Sequence, residues 1–172
     1  MNRNEVHESS TNTCAAAREQ STGMAASGKS RKAYVYARVK GSACSQINDC
    51  MLAAQQDQLL EYAKTMNIDV AEQDAEIALH GITEEAKRRL MEAVVSGMIG
   101  MLLIAGCSRL HRETERLIDL LEELDRHGVQ IYSLKEGWVN APHEEGQPTM
   151  LQLFKTLRAI EQKAGGEDVF PG

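Results

Sequence analysis

Aromatic residues are scarce in this 172-residue chain, and long apolar runs are missing altogether. Phe, Trp and Tyr make up 4% of the residues and hydrophobic residues as a whole 42%, so we expect one domain with an aliphatic core. No apolar run approaches the roughly 18–20 residues of a membrane span. The N-terminus also lacks the charged-then-apolar pattern of a signal peptide, so we predict a cytoplasmic protein with no membrane partner.

Clustered metal ligands are missing as well. The four cysteines are scattered without a Cys-x-x-Cys pair, and the five histidines are dispersed. No zinc-ligand spacing results, and in a reducing compartment we expect the cysteines to be free thiols. The sequence therefore predicts no metal and no cofactor.

Positive charge is in deficit over most of the chain, whose net charge is −6. Residues 1–32 carry five Lys or Arg against three Glu, a net +2, which leaves −8 for the remainder. An acidic body argues against a large nonspecific DNA-binding surface, because such a surface requires clustered cations. A small cationic pocket is still compatible with this balance.

The first 32 residues show no apolar periodicity, and we predict a disordered tail there and a second, short tail over 165–172. Residues 23–30 of the first tail satisfy the phosphate-loop pattern G-x-x-x-x-G-K-S. Such a loop binds phosphate only between a buried strand and a helix. Here no strand pattern precedes the loop and a strand pattern follows it, so we interpret the match as chance.

Strand and helix patterns alternate from residue 33 onward, where we place a single domain over 33–164. Strands are predicted over 33–39, 69–75, 98–105 and 129–134, and helices over 48–66, 84–96, 113–127 and 148–163. Residues 135–147 are predicted to form a loop. The alternation indicates an α/β fold, with a mostly parallel central sheet of four to five strands and helices on both faces.

Ligand sites of parallel sheets lie beyond the carboxyl ends of the strands. The turns there supply the candidates for one pocket, which are Arg38, Lys40, Ser42, Arg109 and Arg112. Two guanidinium groups three residues apart, before a helix, suit a phosphate. The alternative is that Arg109 and Arg112 are surface residues paired with acidic neighbours, namely Glu113, Glu115 and Glu122.

Several short motifs occur in an order and spacing typical of one protein family. They are Tyr36-Ala37-Arg38-Val39, Gln55-x-x-x-Leu59-x-x-Tyr62-Ala63, Ser108-Arg109-Leu110-His111-Arg112, Tyr132-Ser133-Leu134-x-Glu136-Gly137 and Met150-Leu151-Gln152-Leu153. Together they resemble the N-terminal catalytic domain of the resolvase/invertase family of serine site-specific recombinases. The resemblance implies a resolvase-like three-layer fold. It also implies chemistry in which a serine attacks a DNA phosphodiester, forms a 5′-phosphoserine link and is assisted by arginines.

This chain departs from the family pattern at the position of the nucleophilic serine and at three other positions of the family's motifs. The nucleophilic serine that follows Arg-Val in the family is Lys40 here, and an ammonium is suited to clamping a phosphate, not to attacking it. The family's Asp before Arg109 is Ser108, and its Ser-Gly before the second helix is His80-Gly81. Ala86 replaces its next arginine, for which the candidate substitutes are Lys87, Arg88 and Arg89.

The resemblance and its departures lead to a prediction with open alternatives. We predict a resolvase-like DNA recombination protein that lacks strand cleavage and acts as a regulatory or interaction module. The alternative enzyme would be an active recombinase that uses a displaced serine, Ser42 or Ser45. A binding module unrelated to DNA is a third interpretation.

The last predicted helix, 148–163, carries the expected interaction surface. Its apolar stripe packs either on its own sheet or on a partner, and its members are Leu151, Phe154, Leu157 and Ile160. The expected partner is a second copy or a full-length recombinase. Because no helix-turn-helix or basic segment follows this helix, we expect DNA binding by the chain alone to be weak.

Overall fold

Five strands form one sheet, and their order along it is not their order along the chain. In a computed structural model that describes residues 32–141 and 146–164, the strands are β1 (Ala33–Val39), β2 (Val70–Ile77), β3 (Met101–Ile104), β4 (Gln130–Ser133) and β5 (Gly137–Trp138). Their order in the sheet is β2-β1-β3-β4-β5. The first four are parallel, and β5 is antiparallel to β4. The predicted α/β class with a mostly parallel sheet is confirmed.

Helices cover both faces of this sheet, as predicted. They are α1 (Ser45–Thr65), α2 (Glu84–Val95), α3 (Thr114–Arg126) and α4 (Met150–Ala164). Leu59 and Ala63 of α1 join one core cluster with Val35 and Leu103 of the sheet. Residues from α2, α3 and α4 join a second cluster that includes Tyr34 and Tyr36. Since alternate side chains of β1 enter the two clusters, the strand is buried on both sides.

Helices with a clear apolar period form where the sequence predicts them. In α3 the inward positions are all buried, and they are Leu117, Ile118, Leu120, Leu121 and Leu124. Thr83 caps α2, because its side chain accepts a hydrogen bond from the N–H of Ala86 at 3.2 Å. Gly97 follows α2 with φ of +70°, a backbone conformation that glycine adopts without strain.

The largest differences from the predicted elements concern α1, β3 and the loop 135–147, whereas the ends of β2 and α4 differ from the prediction by at most two residues. Helix α1 begins at Ser45 and not at the predicted residue 48, so Asn48 lies buried in the first turn. Strand β3 is limited to Met101–Ile104 because the residues before it close the end of α2, where the N–H of Met98 donates to Ala93 O. The predicted loop 135–147 contains β5, which at two residues is too short to produce an alternating pattern.

The apolar stripe of α4 is divided between the core and the surface. Leu151 is buried and donates its N–H to Val139 O at 2.9 Å, and Phe154 packs against the core. Arg158 of α4 forms an ion pair with Asp119 of α3. Leu157 and Ile160, by contrast, are 52% and 56% exposed, and Leu153 beside them is 45% exposed. We call these three residues the exposed stripe of α4.

Parts of the chain named in the predictions lie outside the described residues. These are the two predicted tails, except Lys32, and the phosphate-loop pattern at 23–30. Among the helices of residues 32–141 and 146–164, none combines the length and the hydropathy that a bilayer crossing requires.

Candidate functional site

The candidate site lies where the chain changes direction across the sheet. From β1 the chain passes to β2 on one side, and it then returns to form β3 on the other side of β1. The carboxyl ends of two strands that are connected in opposite directions leave a crevice between their turns. By this rule the crevice is expected between the end of β1 and the turn after β3, which begins with the 3-10 turn Cys107–Arg109.

Arg38 lies at this end of β1 and points into the protein. It is 1% exposed. Its Nε donates to the backbone oxygen of Arg109 at 2.5 Å, its Nη1 to that of Ala78 at 2.5 Å and its Nη2 to that of Ser108 at 2.9 Å. The guanidinium group therefore joins the turn after β2 to the turn after β3.

Three arginines concentrate positive charge around this turn. Burial lowers the pKa of Arg38, and the neighbouring charges of Arg109 and Arg112 lower it further. The charges of Arg109 and Arg112 are thus close enough to repel that of Arg38. Such an arrangement is favourable once an anion lies among them.

Arg109 and Arg112 have unused hydrogen-bond donors. Arg109 is half-buried and Arg112 is exposed, and within the described parts of the chain no hydrogen bond or ion pair involves either side chain. The acidic residues named in the surface-pair alternative have other partners, which are Arg116 for Glu113, Gln162 for Glu115, and Lys155 and Arg158 for Glu122. The structure therefore does not show the surface ion pairs of that alternative.

Lys40 and Ser42 follow β1 but do not join the arginines. Lys40 is exposed. The Ser42 hydroxyl donates to Asn48 Oδ1 at 2.8 Å and the Ser42 N–H donates to the same oxygen at 2.9 Å, while Asn48 Nδ2 donates to Ser42 O at 3.1 Å. Between residues 32 and 141, neither Lys40 nor Ser42 makes a hydrogen bond or an ion pair with an arginine of the site. Ser42 thus closes the loop before α1.

The substitutes considered for the missing family arginine are engaged elsewhere. Lys87 pairs with Glu123 at 3.1 Å. Arg88 pairs with Glu85 and Glu92, and Arg89 pairs with Asp74 at 2.7 Å. Each of these cations lies on α2 with an acidic partner, so none of them contributes an unpaired charge to the crevice.

His111 is in close contact with Gly81, which lies in the turn between β2 and α2. It forms an isolated antiparallel bridge with Gly81. A Cβ atom on Gly81 would lie 2.4 Å from His111 Nδ1 and 2.6 Å from Leu110 O, so only glycine fits there. Burial lowers the pKa of His111, and the charges of Arg116 and Lys87 lower it further, which favours the neutral imidazole.

Two residues that are not among the predicted site residues hydrogen-bond to the backbone of the site. Gln55 Oε1 accepts the N–H of Arg38 at 2.8 Å. Glu136 Oε2 accepts the N–H of Cys107 at 3.1 Å and also binds the Ser133 hydroxyl. Both belong to motifs quoted above, but a polar residue in a helix or a loop gives no sign in the sequence of the backbone group that it will bind.

The arrangement contains groups suited to an anion, and the described residues show no cluster of metal ligands. Across the described segments, no three side chains of His, Cys, Asp or Glu gather where a metal ion could bind. Two arginines with free donors, backed by the buried charge of Arg38, are suited to the oxygens of a phosphate.

Comparison with known proteins agrees with the fold and the motif order. The family model described as "Resolvase, N terminal domain" matches residues 33–169. The N-terminal catalytic domain of TP901-1 integrase aligns over 78% of this chain and 98% of its own, with a TM-score of 0.63 and 19% identity.

A resolvase family site-specific recombinase from Streptococcus pneumoniae aligns over 78% of this chain and 89% of its own, with a TM-score of 0.60 and 20% identity. A search of curated protein sequences finds no match. At these identities the structural likenesses show the fold, and the family model shows the family. The chain therefore belongs to the resolvase family and carries its N-terminal, serine recombinase catalytic domain.

Proposed function

We propose that this domain binds a DNA phosphate through Arg109 and Arg112, does not cleave DNA, and regulates or assembles with a recombinase in the cytoplasm. The observation that carries the proposal is the exposed Lys40 at the position where the family has its nucleophilic serine. The ammonium of Lys40 lacks the hydroxyl with which a serine at this position attacks phosphorus.

The hydroxyl nearest in sequence, that of Ser42, is poorly placed to replace the missing nucleophile. Nucleophilic serine requires a base that removes its proton. The Ser42 hydroxyl donates to the amide oxygen of Asn48 and to Cys44 O, and neither oxygen is a base at neutral pH. This local structure favours a loop-forming role for Ser42.

The exposed stripe of α4 supports an assembly role. Leu153, Leu157 and Ile160 lie at positions i, i+4 and i+7, so they share one side of the helix, while Arg158 and Leu151 fix the other side to the domain. An apolar stripe on a helix whose opposite face is already packed suits a partner helix. The partner we propose is a second copy of this chain or a full-length recombinase.

A covalent-adduct assay tests the absence of cleavage. The protein is incubated with supercoiled DNA carrying recombinase sites, the reaction is stopped with denaturant, and protein–DNA adducts are sought by electrophoresis. We expect no adduct for the natural chain. An adduct that disappears in Ser42→Ala would instead establish the displaced-serine enzyme.

The substitution Lys40→Ser tests the pocket itself. If the remaining arginines are competent, restoring a hydroxyl at residue 40 yields an adduct that Lys40→Ala, the matched control, does not form. Absence of an adduct in both variants, together with retained DNA binding, would show that the crevice has kept recognition but lost the geometry for attack.

A further inference from the structure

The turn after β3 is held from two sides by side chains of opposite charge. On the β1 side, the Arg38 guanidinium donates hydrogen bonds to the carbonyl oxygens of Ser108 and Arg109. On the β4 side, the Glu136 carboxylate accepts a hydrogen bond from the N–H of Cys107. Two carbonyl oxygens of this turn are thus bound by Arg38, and one of its N–H groups is bound by Glu136.

Glu136 is itself held in place by the end of β4. Ser133 is fully buried, and its hydroxyl donates to Glu136 Oε2. The same hydroxyl oxygen accepts the N–H groups of Lys135 and Glu136 at 3.2 and 3.3 Å. Two donors, the Ser133 hydroxyl and the Cys107 N–H, therefore converge on one carboxylate oxygen, which a charged acceptor accommodates better than a neutral one.

The Cys107 side chain completes this cluster as a neutral donor. Burial, with the adjacent Glu136 charge as the second cause, raises the pKa of the Cys107 thiol to about 12. The thiol stays protonated at neutral pH and hydrogen-bonds to Glu136. A thiolate here would repel both Glu136 and an approaching phosphate, and the raised pKa prevents it from forming.

From this geometry we infer that Glu136 is a positioning residue: by binding the Cys107 N–H it fixes the 3-10 turn that directs Arg109 and Arg112 toward the phosphate. The inference rests on the phosphate binding proposed above. Glu136 need not touch the anion, since its Oε2 already accepts the Cys107 N–H and the Ser133 hydroxyl behind the turn. Without the carboxylate, the Cys107 N–H loses its partner and the turn can leave the geometry in which both arginines reach one phosphate.

The decisive comparison uses Glu136→Gln, which keeps the size and removes the charge, and Asn140→Ala as the control. Asn140 binds the N–H of Ile131 at 2.9 Å and the oxygen of Val129 at 2.8 Å, so it supports the opposite end of β4. Inorganic phosphate is titrated into each protein and the amide chemical shifts are followed by NMR. We expect Glu136→Gln to weaken phosphate binding about tenfold, and Asn140→Ala to change it less than twofold.

Hydrogen exchange gives a second measurement that needs no ligand. In Glu136→Gln the amides of residues 107–110 should exchange faster and the Nε–H signals of Arg109 and Arg112 should shift, whereas in Asn140→Ala neither should change. If Glu136→Gln does not fold, Ser133→Ala serves in its place, with a loss of about threefold in phosphate affinity. Rescue by Glu136→Asp is not expected, because the shorter side chain withdraws from Cys107.

The outcomes separate the inference from the function on which it rests. Equal losses of affinity in Glu136→Gln and Asn140→Ala, or unchanged exchange of residues 107–110 in Glu136→Gln, would overturn the positioning role. If the natural chain does not respond to phosphate at all, the proposed phosphate binding fails, and the exchange rates still decide whether Glu136 holds the turn.

Discussion

Arg38, Arg109 and Arg112 are chemically identical, but the structure gives them different tasks. Arg38 is buried and uses its donors on three backbone carbonyls, whereas Arg112 is exposed and Arg109 half-buried, and among the described residues neither of these two side chains makes a hydrogen bond. One arginine therefore builds the crevice and two are available to a ligand. Mutations at these positions should separate stability from binding.

Replacement of Arg38 should damage the fold. Arg38→Met leaves the backbone carbonyl oxygens of Ala78, Ser108 and Arg109 without this donor, and we expect a loss of about 3 kcal/mol in the free energy of unfolding. Arg112→Met, the matched control, removes an exposed charge and should change stability by less than about 0.5 kcal/mol. Urea unfolding followed by circular dichroism measures both, and similar losses in the two variants would contradict the assigned roles.

A methyl group at residue 81 should separate the two turns that meet there. In Gly81→Ala the new Cβ would overlap His111 Nδ1 and the backbone oxygen of Leu110, so we expect a loss of about 2 kcal/mol. Gly41→Ala is the control, because its Cβ would meet only the Ile77 side chain at 3.2 Å. Thermal unfolding of the two variants provides the comparison, and a smaller loss at residue 81 than at residue 41 would be evidence against the close crossing.

Protonation of His111 should destabilise the protein at mildly acidic pH. Its pKa in the folded state lies below the ordinary value of 6.5, so the unfolded state binds more protons in the window below 6.5. Stability should therefore fall as the pH is lowered from 7 to 5.5. His111→Gln should show a flatter profile by urea unfolding, and an equally steep profile would assign the effect to other groups. The depressed pKa values of Glu85 and Glu122 act only below about 4.5, outside this window.

At the scale of elements, α4 combines a fixed side and a free side. Substitution of the exposed stripe by Leu157→Glu and Ile160→Glu should convert an oligomer to a monomer in light scattering, because charged residues are costly in an apolar interface. Ala159→Glu, at an exposed position of the same helix outside the stripe, should leave the mass unchanged. A natural chain that is monomeric at high concentration would remove the second copy as a partner and leave only the full-length recombinase.

Elements with a strong period were predictable from the sequence, and those set by distant contacts were not. The five buried Leu and Ile residues of α3 follow a 3.6-residue spacing, and β1 has the β-branched and aromatic content of a strand. The start of α1 was misplaced because Asn48, a common cap residue, binds the loop instead.

In the site, too, features set by nearby sequence were predictable, and features set by contacts between distant residues were not. The turns that hold Arg109 and Arg112 were predictable because parallel strands end at the same edge of a sheet. The burial of Arg38 was not, because its three acceptors come from turns that only the tertiary fold brings beside β1. Glu136 escaped prediction for the same reason, since its partner Cys107 follows a different strand.

For the whole molecule, the acidic charge balance limits how DNA can be bound. If only Arg109 and Arg112 contact phosphate, as proposed, few counterions are released, so log K should fall with log[salt] with a slope of about −2. Arg109→Ala should reduce that slope by about one unit. Arg126→Ala, which removes an exposed cation from the far end of α3, should leave the slope unchanged. Fluorescence anisotropy with labelled duplex measures it, and a much steeper slope that Arg109→Ala does not alter would indicate a different DNA-binding surface.

The central position of β1 also affects how the chain folds during synthesis. β1 leaves the ribosome before the other described strands, but Ala33 to Tyr36 pair with Met101 to Ile104, which are made much later. No two of the strands β1 to β4 form a hairpin, so each pairing requires closure of a long loop, and folding on a scale of milliseconds or longer is expected. Until β3 emerges, the most buried strand of the domain has one open edge, and this interval is when the nascent chain is most exposed to misassembly.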